Sequence, residues 1–340
     1  MASLPSWVRI YDDSAKAILG DEPKLDLLCE ETERPFAHEA GVYIPEDNSL
    51  WITSNQYPHP ETKRPHIHIS RVQLPSSTDS TEAVHAEIDA SNIPLPNGGV
   101  NYKNGILFCA QGTLDTPGGI AFMPLNPPTT SDKYEAKLLI SDFHGRPFNS
   151  PNDVVVHSDG SIWFTDPIYG WEQGIRPRPR LPSQVYRYDP ATGGIRAVAD
   201  GFERPNGICF SPDEKTVYIT DTDWIHGDGS TDDMRVSHIY AFDVIIRSGQ
   251  PFLANRRLFA MADVGVPDGI KCDKAGNVYS GCGDGLNIWS AGGVLLAKIL
   301  LDGGVANFCF GRDGQVFLMN ESWLWRLQLA RTCKGALLGL

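Results

Sequence analysis

The sequence is short of several things, and each shortage removes a class of function. No run of 18 consecutive apolar residues occurs, so no membrane-spanning helix is expected. The opening MASLPSWVRIYDDSAKAILG has no basic segment followed by an apolar block of roughly 7 to 15 residues, which argues against a secretory leader and predicts a cytoplasmic protein. Basic residues are outnumbered, 29 to 42, and the formal charge of −13 has the wrong sign for gripping a phosphate backbone. Nucleic acid is therefore not an expected partner. Seven cysteines form no CxxC pair, and most sit in apolar strand-like runs. Buried, reduced thiols follow, Cys282 among them, because no histidine is paired with it.

Motifs are equally scarce. HEAGV at His38 is not a zinc-binding HExxH, because Val42 stands at its last position, and neither a GxSxG elbow nor a Walker sequence is found. GCGDG at 281–285 lacks the βαβ setting that a nucleotide loop needs. The acidic DTDWIHGDGSTDD from Asp221 is no EF-hand, since Ile225 occupies a ligand position. His66 and His68, in PHIHIS, share one strand face, and without further nearby ligands a surface or packing role is expected for them.

Long amphipathic helical patterns are rare, whereas 33 Gly and 25 Pro are spread along the chain as punctuation. Between them lies a repeat. RPNGICFSPDEKTVYITD from Arg204 is echoed by VPDGIKCDKAGNVYSGCGD from Val266 and by SPNDVVVHSDGSIWFTDP from Ser150. Looser copies start at His38, Leu95 and Gly303. With Glu39, Asn97, Asn152, Asn206, Asp268 and Asn307 as equivalents, the steps are 58, 55, 54, 62 and 39 residues. Each copy contains two alternating apolar runs joined by turn residues, as in Val154, Val156 and then Ile162, Phe164, and further strands follow. The pattern predicts an all-β chain: a single domain over residues 1–340, folded as a six-bladed β-propeller with four-stranded blades. A strand near Leu25–Glu30 is expected to complete the short last blade.

In such a ring the residue that opens each innermost strand lies at one mouth of the central channel. Glu39, Asn152, Asn206 and Asp268 then converge, offering two carboxylates and two amide carbonyls, a donor set suited to Ca²⁺ or another hard divalent cation. Asn-Gly and Asp-Gly are also ordinary turn formers. Glu39 has little turn preference, however, and a buried carboxylate there needs a partner.

These segments, in this order, resemble the SMP-30/gluconolactonase family, including its fungal lactonohydrolase-like members, over roughly residues 36–325. The resemblance implies calcium held by Glu39, Asn152, Asn206 and Asp268, with Asp268 as general base in opening a lactone. Sugar-lactone members of the family carry arginines where Phe36 and Ser150 stand here. That departure points to an apolar or aromatic lactone or ester, in specialised metabolism, as the small-molecule substrate. The loop Tyr169–Gln184 also resembles fungal members and is expected over the channel mouth. Tyr169, Arg176, His38 and Trp224, with Phe36 and Ser150, are the expected substrate contacts, and His226 is a candidate for proton transfer. Arg178 and Arg180 accompany Arg176 in a proline-rich stretch that also suits a solvated polyproline segment. Two other readings stay open: a non-hydrolytic biosynthetic enzyme (isomerase, condensing enzyme or cycloaddition catalyst) in the same pocket, and a non-catalytic interaction propeller. The oligomeric state is not legible.

Overall fold

Strand side chains alternate between the two faces of a sheet, so a strand covered on both faces must be apolar at consecutive positions. Ile162, Trp163 and Phe164 show how this chain uses that rule. Ile162 and Phe164 pack toward one neighbouring sheet with Val100 and Leu107, whereas Trp163 packs toward the other with Ile208 and Ile219. In the computed structural model, which describes residues 4–77, 79–90, 92–126 and 133–340, the same arrangement runs round the whole ring. Six apolar layers separate six antiparallel sheets, one layer between each neighbouring pair.

The innermost strands of blades one to six are Glu39–Ile44, Pro96–Tyr102, Val154–Val156, Pro205–Phe210, Ile270–Cys272 and Asn307–Phe310. Each leads outward through a meander, as in blade four, where Pro205–Phe210 pairs with Thr216–Asp221, then His238–Arg247, then Gln250–Met261. The expected six-bladed propeller is thus borne out. So is its closure: Lys24–Glu30 is the outermost strand of blade six, paired antiparallel with Trp323–Gln328. The expected strand began one residue later.

The N-terminal segment adds something the repeat pattern did not show. Val8–Ile10 lies along Leu295–Leu300 as a fifth strand on blade five, and the short helix Ala15–Leu19 buries Ala15, Ile18 and Leu19 against the layer between blades five and six. The uneven repeat steps are explained too. Blade five turns from its second strand to its third within Cys282–Gly285, whereas blade four inserts residues 222–237 at the same point.

The inner strands run away from the mouth at which Glu39 and Asp268 lie. At their far end they enclose an apolar cavity of about 430 Å³, lined by parts of all six inner strands and by Leu337, Leu338 and Leu340. The C-terminal segment is held there by a Gly335 bridge to Asp273 and by the Ala336 N–H donating to the Cys272 carbonyl at 2.9 Å. Among the described residues no helix is long and apolar enough to cross a membrane.

Candidate functional site

Pro-Asn-Gly and Pro-Asp-Gly turn out to be a packing device as much as a turn. A Cβ on Gly207 would lie 2.4 Å from the Asp268 carbonyl, and one on Gly269 would lie 2.4 Å from the Asn307 side chain, so glycine lets neighbouring inner strands touch. In blade three the same position is Asp153. Its carboxylate accepts the N–H groups of Val154 (2.9 Å) and of Ile208 in the next blade (3.0 Å).

A closed ring of hydrogen bonds then links the six blades at this level. The Thr53 hydroxyl donates to the Asn97 carbonyl at 3.1 Å, and the Asn97 amide to the Asn152 carbonyl at 3.2 Å. Thr165 donates to the Asn206 carbonyl at 2.6 Å, and Thr220 to the Asp268 carbonyl at 3.1 Å. The Gly269 N–H donates to the Ala306 carbonyl at 2.9 Å, and the Asn307 amide to Glu39 Oε2 at 2.6 Å, which closes the circle. The main-chain carbonyls of Asn152, Asn206 and Asp268 are therefore satisfied outward.

Their side-chain oxygens are not. Asn152 Oδ1, Asn206 Oδ1 and Asp268 Oδ1 are all buried with no hydrogen-bond partner among the described residues. Leaving a buried acceptor unpaired costs on the order of 1–3 kcal/mol, and a fold rarely tolerates three together. Glu39 and Asp268 are also each held above the ordinary carboxylate range. For Glu39 the causes are burial and the nearby Asp268, opposed by His38; for Asp268 burial leads, again opposed by His38. Three orphaned oxygens beside two strained carboxylates fit a hard divalent cation, which would satisfy all of them at once.

The structure also gives Glu39 an unusual backbone. Ala40 follows it with φ of +67°, and the pairing with Ser49–Thr53 slips between Ala40 and Val42. A bulge of this kind re-aims the side chain that precedes it.

The remaining expected contacts are placed unevenly. His38 stands at the centre: its Nδ1 is 2.7 Å from Glu321 Oε1, and it is a charge partner of both Glu39 and Asp268. Burial pulls its pKa down, but Glu321, Glu39 and Asp268 together raise it to about 10. Tyr169, in the short helix Tyr169–Glu172, bonds through its hydroxyl to Thr222 and to the Ile225 carbonyl, and it senses the charge of Asp268.

Phe36, in contrast, is wholly buried between blades six and one and stacks on His85 with ring centres 4.7 Å apart, so it does not line the mouth. Ser150 is buried, its N–H donating to Asp166 at 2.7 Å and its hydroxyl to Gln111 at 3.4 Å. Arg176 is 5% exposed and spends its guanidinium on the carbonyls of Asn149, Thr113, Thr116 and Phe148. It braces loops and does not present a cation to substrate.

Trp224 donates to Asp233 at 2.9 Å. His226, the expected proton carrier, lies 3.9 Å from Asp223 and 3.3 Å from Ser230. The histidine set against Asp268 is His38. Sequence reasoning missed Glu321, Asp153 and the part played by Asn307. Asn307 is in register with Glu39, Asn152, Asn206 and Asp268, whereas Glu321 sits in the tight turn between Gln315–Asn320 and Trp323–Gln328 of blade six, outside the repeated position. Cys282 is buried and its thiol is held well above its usual range, as an inert packing residue should be.

Residues 101–319 match the family described as the SMP-30/Gluconolactonase/LRE-like region. The chain belongs to this family. Within the SMP-30/gluconolactonase family, the lactonohydrolase oryL of Aspergillus oryzae is 29% identical over 318 residues, covering 87% of this chain and 68% of the relative. A gluconolactonase of Zymomonas mobilis is 29% identical over 67% of this chain and 64% of its own length. Among solved structures, a gluconolactonase from Xanthomonas campestris superposes with a TM-score of 0.74 at 27% identity, covering 95% of this chain and 94% of that one. The resemblance to lactonase-type members, fungal ones included, is borne out.

Proposed function

We propose that the protein is a calcium-dependent lactone hydrolase. The observation that carries the reading is the convergence of three unpartnered buried oxygens, on Asn152, Asn206 and Asp268, with the Glu39 carboxylate at one mouth of the channel. Its lactonohydrolase and gluconolactonase relatives support the reaction type. A divalent cation held by these four residues would supply a Lewis acid for the lactone carbonyl oxygen.

The protein's own groups do the rest. Asp268 takes a proton from the attacking water on the carboxylate oxygen that would not hold the cation, and the water oxygen bonds to the carbonyl carbon. The ring C–O bond then breaks, and the departing oxygen receives its proton from His38, whose imidazolium is maintained by Glu321. Asn307 keeps Glu39 oriented, and Tyr169 stands beside Asp268 as a wall of the site.

A substrate with an apolar or aromatic body is favoured over a sugar lactone. Both buried arginines on this face are already saturated: Arg176 by four carbonyls, and Arg204 by Glu172 and Asp223. Neither is left to clamp a polyhydroxylated acid. Hydrolysis assays across aldonolactones, aromatic lactones and aryl esters, in calcium and in chelator, test the reading. Turnover of apolar lactones that stops in chelator and returns with Ca²⁺ is the expected result. No turnover on any of them with calcium present would count against hydrolysis and favour the non-hydrolytic alternative.

A further inference from the structure

His66 and His68 were expected to serve surface or packing roles for want of a third ligand, and the fold supplies one. The period of two puts both rings on one side of the segment that leads into Ile69–Gln73. In the next strand, Val84–Ile88, Glu87 is paired opposite Ser70, which continues the same alternation, so all three side chains come together. Their ligand atoms lie within 4.8 Å of one another.

We infer that His66, His68 and Glu87 form a second metal site, for a transition-metal dication such as Zn²⁺. Two imidazoles and one carboxylate are borderline donors, matched to zinc and its neighbours, unlike the all-oxygen set at the channel. The surroundings are arranged for ligation. His68 is 4% exposed, and its Nδ1 lies 3.0 Å from the Tyr57 hydroxyl. A partner of that kind fixes the ring and its tautomer, as metal-bound histidines usually require, and leaves Nε2 for the ion. Its backbone is pinned as well, the N–H donating to the Ser54 hydroxyl at 3.1 Å and the carbonyl accepting the Ser54 N–H at 3.0 Å.

Glu87 divides its two oxygens. Oε2 faces Arg34 at 3.3 Å, and Oε1 faces His66 Nε2 at 3.9 Å, which suits a carboxylate that ligates through one oxygen. A third imidazole is near: the ring of His59 lies 5.0 Å from that of His66. His59 uses its Nδ1 to accept the N–H groups of Glu61 and Thr62, so its Nε2 is not needed for the turn.

The three donors open onto a cleft of about 740 Å³ between blades one and two, on the same face as the calcium-type ligands. Thr113 and Thr116 form part of its wall, and Arg176 ties their carbonyls to those of Phe148 and Asn149, just ahead of Asn152. The ion therefore has a way in and a coordination position facing water.

The test is calorimetric titration of the full chain with zinc chloride in calcium-saturated buffer, together with Co²⁺ absorption as a report of imidazole ligation. One zinc per chain and visible ligand-field bands are expected. His66→Gln and Glu87→Gln, both at solvent-accessible positions, should weaken zinc by more than the roughly 10- to 100-fold that loss of an outer partner costs, and Tyr57→Phe should fall within that range. Asp268→Asn should leave zinc binding unchanged, which separates this site from the channel. No zinc uptake by the wild-type chain overturns the proposal. So does uptake that survives the His66→Gln/Glu87→Gln double variant, or uptake that depends on Asp268 instead.

Discussion

At the end where the inner strands begin, the channel is bordered by Glu39, Asn152, Asn206 and Asp268, three of which keep an oxygen with no partner. At the end where they finish, the same six strands present Val154, Ile208, Ile270 and Phe310 to the leucines of the C-terminal segment. One repeat thus writes opposite chemistry at its two ends. At the polar end a ring of hydrogen bonds orients the four side chains, whereas the other end is held by packing. In a propeller, stability and function can therefore be assigned to different ends of one strand.

Mutation should separate the two ends. The largest effect is expected from Asp268→Asn: loss of about 10³-fold in lactone turnover, the range of a general base, with melting temperature in chelator unchanged or raised because one buried like charge is gone. If the variant instead unfolds while retaining specific activity, the polar end is structural. Replacing Leu338 and Leu340 by Ala should do the reverse, costing about 2–4 kcal/mol in denaturant titration with kcat preserved in calcium. A matching loss of kcat would show that the ends are coupled.

Thr220→Val removes the hydroxyl that satisfies the Asp268 carbonyl. It should weaken calcium about 10-fold and cost roughly 1 kcal/mol, and calorimetry showing unaltered affinity would remove the ring's orienting role.

The smallest effect concerns pH. Without a cation, Glu39 and Asp268 have folded pKa values above their unfolded ones, so the folded chain binds more protons and loses this stability as pH rises through the raised values. Calcium requires both carboxylates ionised, so the gain in melting temperature on adding it should grow from about pH 5 to about pH 8. A gain that shrinks over that range would contradict the assignment.

The sequence made the repeat, the ring and the convergence of Glu39, Asn152, Asn206 and Asp268 legible because each of these residues recurs at the same point of an alternating pattern. Residues whose role depends on pairing across blades stayed hidden. Phe36 precedes Glu39 by three positions, yet it is buried against His85, and no local signal tells a pocket wall from a layer between sheets. Arg176 read as a cation available to substrate because carbonyls that claim it come from two loops, at Thr113–Thr116 and Phe148–Asn149. His226 looked suited to proton transfer from composition alone, whereas His38 gains its setting from Glu321, some 280 residues away. Val8–Ile10 is too short to show any periodicity.

The strand Lys24–Glu30 carries a consequence for how the protein is made. Its partner, Trp323–Gln328, leaves the ribosome roughly 300 residues later, so one edge of blade six waits until those residues are made. Until then five blades form an open arc with an apolar face exposed at each end, Tyr279 on blade five and Tyr43 on blade one among them. The hydrogen-bond ring closes only when Asn307 of blade six meets Glu39 of blade one. Chaperone demand and, on the proposed function, uptake of the cation are thereby tied to a single late event in folding.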